Sequence, residues 1–309
     1  MILIYSRDTD SFVNDVVDYL EKDSFVRVGD REKVQINKIN INKAEFIISN
    51  TFDKEINLFD ISSIWFNGGV PQVEGNIYEK DLYKCLFESF LDKKDCFKLG
   101  KTYLGFEFNK FDSVLIAKKC GLKVPDTIIT NNRLEVKNFF KRHNKKGVIC
   151  KRITDKIFYE GKNFISNIGN TFLVDNEFIK KIPANFAISL FQERIIPDFE
   201  IRIFYFLDEF YSMAIFNDDE NIIDIRTSFL DINTRMVPFE LPKTVKLKIK
   251  KILKIYKTNY CSIDMICHKN TYYFLEINPI GQVQFLNRSC NYYLEKKLSK
   301  ILKNEKQKT

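Results

Sequence analysis

A mixed architecture is predicted, α/β at the N-terminus and α+β beyond it, and three observations predict it. Strand and helix patterns alternate over the first hundred residues. A small piece mixing helices and strands follows from Asn109, and the remainder of the chain is rich in strands. Residues 1–105 are expected to form an N-terminal α/β domain, 106–190 a small central α+β domain, and 191–309 a strand-rich C-terminal domain.

The elements follow in order. Residues 2–5 form the first strand, an apolar run too short for a signal peptide. Thr9 and Asp10 precede a helix with Val13, Val16, Val17 and Leu20 on one face. Residues 44–49 and 61–66 are strands, the second ending at Asn67-Gly68-Gly69, a turn signal. Residues 81–97 form a helix expected to bury Leu82, Cys85, Leu86 and Phe90 over a mainly parallel sheet. Past Asn109, a helix over 111–120 places Val114, Leu115 and Lys118 on its period and stops at Gly121. Pro125 opens a strand at 127–130, a helix spans 133–142, and 147–151 is a strand. Strands at 186–195, 200–207, 210–216, 261–267 and 271–277 complete the pattern, with hairpin turns at 207–210 and 268–270.

Composition narrows the function classes. At 45% hydrophobic and 29% charged, the 309 residues match a globular protein, and no apolar run reaches the roughly 18 residues of a membrane span. Seven Cys without a C-x-x-C pair predict reduced thiols and a cytoplasmic location. Two His leave no His-rich metal site, so any metal must be held by oxygen. The balance of 49 basic against 41 acidic residues, +8, fits an acidic partner without naming one. Much of that excess lies in lysine runs at 243–257 and 294–309. In the first, Val245, Ile249, Ile252 and Tyr256 keep helical spacing, so the lysines read as a solvated face. No helix-turn-helix, RNA-reading aromatic strand or zinc finger is present, so neither nucleic acid nor membrane is an expected partner.

Three local patterns carry chemistry. Glu276 and Asn278 alternate on one strand and therefore share a face, to which a neighbouring strand can bring Asp264. Two carboxylates and a carboxamide oxygen suit Mg²⁺. A strand with a wet polar face and with Leu275 and Ile277 in the core gives the same alternation. Lys110 and Lys151 flank the central piece, where an ammonium facing a cleft would serve phosphate; each alone also fits a surface lysine. Gln192-Glu193, Ile195 and Glu200-x-Arg202 can offer hinge amides to a base, a carboxylate to a ribose and a guanidinium to phosphate. Arg226 and Arg235 add two further guanidiniums, and salt-bridged strand faces would look alike. His143 and His268 fall on surface segments and are expected to face solvent, so no general base stands out.

In this order and spacing, these residues resemble the ATP-grasp ligases over nearly the whole chain, with the first hundred residues as the pre-ATP domain. Ile64-Trp65-Phe66-Asn67-Gly68-Gly69, Pro125-Asp126-Thr127, Asp224-Ile225-Arg226, Leu241-Pro242, residues 274–282 and Cys290-Asn291-Tyr292-Tyr293-Leu294 resemble the graspetide branch. That branch comprises the microviridin-type macrocyclases and the grasp-with-spasm maturases. The resemblance implies ATP and Mg²⁺ as cofactors. Lys110 and Lys151 would contact the phosphates, Gln192, Glu193 and Ile195 the adenine hinge, and Glu200 the ribose. Asp264, Glu276 and Asn278 would hold the metal, and Arg202, Arg226 and Arg235 would neutralise the transferring phosphoryl group. One departure concerns the loop over the phosphates, where residues 153–169 hold glycine only at Gly161 and Gly169. Asp155, Lys156 and Lys162 would act there through side chains.

The implied activity is an ADP-forming macrocyclase that activates Asp or Glu of a ribosomal precursor peptide and joins it to Thr, Ser or Lys. An intermolecular ligase of the glutamate-adding type and a non-catalytic nucleotide-dependent binding protein are the alternatives. The partner is then a leader plus acidic core peptide, its leader mapped loosely onto residues 172–191 and 204–216. A homodimer stays open.

Overall fold

Strands Ile2–Ser6 and Ser63–Asn67 are buried at every position, as inner strands of a parallel sheet covered on both faces must be. They pair with each other, and Phe25–Val28 and Phe97–Leu99 flank them, all in parallel. The computed structural model describes residues 1–309 apart from 30–32, 51–53, 70–75, 102–108, 154–157, 162–163, 168–170, 218, 220–233 and 308–309.

Two N-terminal expectations need correction. Strand Glu45–Ser49 lies outside the parallel sheet, at the centre of an antiparallel meander with Gln35–Asn40 and Glu55–Asn57. Its burial alternates, the mark of a strand covered on one face. Helix Ile77–Lys93 begins earlier than its apolar period suggests, because Asn76 and Glu79 form a capping box. It buries Tyr83, Phe87 and Leu91, whereas Leu82, Cys85 and Leu86 are exposed. The aromatic rings decide the face, with Phe87 packing on Tyr5 and Phe46 at centroid distances of 5.8 and 6.3 Å.

Two larger antiparallel sheets, with a separate two-stranded hairpin of Phe158–Gly161 and Phe164–Asn167, build the rest. The central sheet runs in the order Phe172–Val174, Val148–Lys151, Asn185–Glu193, Thr127–Asn132. Helix Arg133–Arg142 covers it with Val136 and Phe139. The C-terminal sheet runs Thr234–Pro238, Glu209–Asn217, Phe199–Phe206, Tyr260–His268, Thr271–Asn278. Its hairpins close on Leu207-Asp208 (φ 44° and 69°) and Lys269-Asn270 (φ 48° and 57°). Both pairs are left-handed, as two-residue turns between twisted strands require.

Alternation gives that sheet two buried faces. Ile201, Ile203, Tyr205, Ile263 and Met265 meet helix Lys243–Tyr256, which buries Val245, Ile249, Ile252 and Tyr256 as its period predicts. Helix Lys110–Lys119 joins this face through Ala117. It buries Ser113 and Ala117, while Leu115 is exposed, contrary to the expected Val114–Leu115 face. The small residues let the helix lie close along edge strand Thr271–Asn278. Phe204, Tyr211, Met213 and Tyr260 face the other way, sharing a core with Ile2, Ile4, Phe12 and Trp65 and with Leu294, Leu298 and Leu302 of helix Leu294–Gln307. Among the described residues no helix is long and apolar enough to cross a membrane.

Candidate active site

Strand pairing lays charged side chains in a row. Arg202 stands opposite Asp264, and Asp264 stands opposite Glu276 on the next strand. Arg202 Nη1 donates to both Asp264 carboxylate oxygens at 2.7 Å, and Nη2 reaches the Gly281 carbonyl at 3.4 Å. Lys110 extends the row, with its Nζ 3.4 Å from Glu276 Oε2. Its helix starts there because Asn109 caps it, accepting from the Asp112 N–H at 2.9 Å. The Lys110 N–H donates to the Ile153 carbonyl, tying that helix end to the segment after Lys151. The Asn278 amide donates to Asp264 Oδ2 and Glu276 Oε1 at 3.4 and 3.3 Å. Asp264, Glu276 and Asn278 therefore meet at one point, as their period predicts.

The pairing slips between Asp264 and Met265, leaving Leu275 as an extra residue. Leu275 and Glu276 consequently both line the cleft, which corrects the assignment of Leu275 to the core; Ile277 does enter it. Burial pushes the Asp264 carboxyl up from its ordinary range and Glu276 pushes the same way, against the opposing pull of Arg202. Two adjacent carboxylates in a poorly solvated wall favour a bound cation. Among the described residues no group of three or more His, Cys, Asp or Glu could hold a metal. The donor set fits Mg²⁺, which takes few protein oxygens and completes its octahedron with phosphate and water.

The cleft opens between the central and C-terminal antiparallel sheets and is lined by residues of both. Lys110, Lys151, Gln192, Glu193, Ile195, Glu200, Arg202, Asp264 and Glu276 all line it. Gln192 is buried and donates to Thr127 Oγ1 at 3.0 Å. The Glu193 carboxylate accepts from the Asp126 N–H at 3.0 Å and lies 3.4 Å from Lys146 Nζ. His143 sits behind it, Nε2 2.8 Å from Asp126 Oδ2 and Nδ1 3.6 Å from Glu193 Oε2. Its side chain is only 16% exposed, so the expectation of a solvent-facing His143 is corrected. The sequence showed a helix end there but not the two carboxylates that fold onto it. His268 is also half-buried, 3.9 Å from Asp198.

Two predicted arginines stand apart. Arg235 is exposed on edge strand Thr234–Pro238, its guanidinium over the Phe216 ring at 4.5 Å, and does not line the cleft. Arg226 lies outside the described residues, as do Asp155, Lys156, Lys162 and Gly169. Conversely, Thr171, Arg194, Gln282 and Phe285 line the cleft without having been singled out. Phe285 lies under the Arg202 guanidinium at 5.7 Å. Gln282 has φ 44°, an uncommon conformation for a side chain this size and one that marks functional turns. A positive φ at a Gln has no signal in a sequence.

Solved structures match this fold across whole chains. The crystal structure of macrocyclase MdnC bound with precursor peptide MdnA from Microcystis aeruginosa MRC superposes with a TM-score of 0.80 at 22% identity, covering 98% of this chain and 99% of that one. A Chryseobacterium gregarium RiPP-associated ATP-grasp ligase, in complex with ADP and a leader and core peptide, gives 0.78 at 24% identity, covering 100% and 97%. The chain has the ATP-grasp fold. ATP-grasp ligase PsnB, complexed with minimal precursor, Mg and ADP, gives 0.70 at 14% identity, covering 99% and 97%. No protein-family model and no curated protein matches the sequence.

Proposed function

We propose that this chain is an ATP-dependent peptide macrocyclase of the graspetide type. One observation carries the reading. Lys110, Glu276, Asp264 and Arg202 form a continuous charged row that faces the Gln192–Glu193 strand end across a single cleft. Support comes from similar structures named as ATP-grasp ligases holding ADP and precursor peptides.

The base occupies the apolar slot near Ile149, Ile195, Ile266 and Leu275, beside the main chain at Glu193. The Glu193 carboxylate engages the Asp126 N–H and Lys146, and its own N–H donates to the Asp126 carbonyl, so this residue fixes the strand end beside the base. Glu200 holds the ribose, and Lys110 and Lys151 hold the phosphates as point charges. Asp264, Glu276 and Asn278 would hold Mg²⁺, which when bound would supply positive charge against the nucleotide phosphates. Arg202 fixes both Asp264 oxygens and adds positive charge beside the phosphoryl group in flight. A side-chain carboxylate of the peptide attacks the γ-phosphorus, the bond to ADP breaks, and an acyl phosphate forms. A Thr or Ser hydroxyl or a Lys amine then attacks the acyl carbon and phosphate leaves, so the peptide loses one water per ring. Positioning and charge stabilisation suffice for such a transfer. The net charge of +8 suits an acidic core peptide.

The test is the intact mass of a candidate precursor peptide after incubation with ATP and Mg²⁺. Loss of one water per bond together with ADP release is the expected result. A mass gain of one supplied amino acid would replace this reading with the intermolecular ligase. An unchanged mass without ADP would leave a nucleotide-binding protein.

A further inference from the structure

We propose that Asn67, at the end of strand Ser63–Asn67 in the N-terminal sheet, is a positioning residue for the catalytic wall. Asn67 is 1% exposed and does not line the cleft. Its Nδ2 donates to Asp10 Oδ2 at 2.9 Å, and its Oδ1 accepts from the Tyr260 hydroxyl at 2.8 Å and from the Gly281 N–H at 3.4 Å. Both partners are anchored. Asp10 caps helix Ser11–Val17 through its other oxygen, and Tyr260 is wholly buried among Trp65 and Phe204.

The Gly281 carbonyl accepts from Arg202 Nη2, and Arg202 holds both oxygens of Asp264. Gln282 and Phe285, which follow Gly281, line the cleft. The segment is packed without slack: a Cβ on Gly281 would lie 2.4 Å from the Tyr260 hydroxyl, and one on Gly68 would lie 2.5 Å from Ile280. Ser262 Oγ also donates to the Ile280 carbonyl at 3.2 Å. A path of hydrogen bonds therefore runs from a helix cap in the N-terminal sheet to the guanidinium of the C-terminal sheet. The N-terminal residues set where Arg202 stands, although they contribute no group to the row.

The kinetic arm of the test rests on the ligase reading; the exchange arm does not. Wild type, Asn67→Ala and Asn67→Asp are compared by hydrogen exchange over residues 279–285, by ADP release with ATP, Mg²⁺ and a precursor peptide, and by melting temperature. Asn67→Asp keeps an oxygen for Gly281 and Tyr260 but sets a carboxylate against Asp10, so it should melt at least as low as Asn67→Ala. Asn67→Ala should speed exchange in 279–285 about tenfold and lower kcat about tenfold, with KM for ATP within about threefold, because a small misplacement is costly to transfer geometry. Asn67→Asp should return exchange and kcat to within about threefold of wild type. Wild-type kcat in Asn67→Ala, or loss of kcat that tracks melting temperature in both variants, overturns the proposal. A wild type that releases no ADP refutes the ligase reading instead, and exchange over 279–285 then decides alone: faster in Ala but not in Asp supports the anchor, and unchanged in Ala overturns it. Trp65, the sole tryptophan, packs edge-on against Tyr260 at 6.2 Å, so its emission reports whether each variant folds. If Asn67→Ala does not fold, Tyr260→Phe takes its place, keeping the ring but removing the 2.8 Å contact on Asn67 Oδ1: faster exchange over 279–285 supports the proposal, and wild-type exchange with wild-type kcat overturns it.

Discussion

The Arg202–Asp264 pair offers the sharpest test of how the site is held. Two 2.7 Å contacts at an effective dielectric near 20 correspond to a gross attraction of about 6 kcal/mol, before the desolvation of two ions is subtracted. Arg202 is 8% exposed at its side chain but Asp264 is 27% exposed, so the pair lies between a fully buried bridge and a surface one. Breaking the first kind costs about 3–5 kcal/mol and breaking the second under about 1. Arg202→Met should therefore cost about 2–4 kcal/mol. Unfolding entropy scales at about 2.1 cal/mol/K per residue, which makes this about 3–6 °C in Tm for 309 residues. The assay is a double-mutant cycle of Arg202→Met, Asp264→Asn and the double variant by chemical denaturation, without nucleotide or metal. A coupling of about 2 kcal/mol or more is expected, with turnover lost in all three. Coupling below about 0.5 kcal/mol would show the pair to be energetically a surface bridge, and the argument that Arg202 fixes Asp264 would fail.

Other outcomes follow from the same geometry. Glu276→Gln should leave Tm within about 2 °C and abolish ADP formation, since it removes charge where metal and Lys110 meet; an active variant would sink the metal assignment. Arg235→Ala should hold kcat within about twofold, because Arg235 stacks on Phe216 outside the cleft, and a tenfold loss would return it to the machinery. Gly281→Ala should lower both Tm and kcat through contact with the Tyr260 hydroxyl; calorimetry and ADP release check this. Burial raises the Cys150 and Cys290 thiols to about 11, so at pH 8 well under 1% of either is thiolate, whereas Cys85 is exposed. Thiol titration of the native protein should label Cys85 first and reach Cys150 and Cys290 only on unfolding.

Legibility from sequence varied with the range of the interaction that fixes each feature. Period-two and period-3.6 patterns placed four of the five strands of the C-terminal sheet, its two hairpin turns and the buried face of helix Lys243–Tyr256, while edge strand Thr234–Pro238 went unread. They also grouped Asp264, Glu276 and Asn278, because adjacency on a hairpin is local. The burial face of helix Ile77–Lys93 was misread, since Leu82 and Leu86 are as apolar as Phe87 and only the aromatic neighbours Tyr5 and Phe46, distant in sequence, choose between them. His143 was misread for a related reason: the carboxylates of Asp126 and Glu193 reach it through sheet pairing. A one-residue bulge placed Leu275 in the cleft, and alternation carries no trace of a bulge. Arg235 looked like Arg202 in composition and differs in strand position, edge against interior.

The core shared by segments far apart in the sequence bears on how the protein is made. Leu294, Leu298 and Leu302 complete a cluster that begins at Ile2 and Ile4, and helix Leu294–Gln307 lies against helix Ser11–Val17. During synthesis, strand Ile2–Ser6 precedes helix Leu294–Gln307 by some 290 positions, so until that helix has left the ribosome one side of the sheet is covered only in part, by helix Ser11–Val17 and then by Phe204, Tyr211 and Tyr260. Contacts of such sequence separation close slowly and leave apolar surface open meanwhile. Nascent chains halted before residue 294 should therefore be protease-sensitive and bound by chaperones, and folding should become cooperative only as helix Leu294–Gln307 arrives.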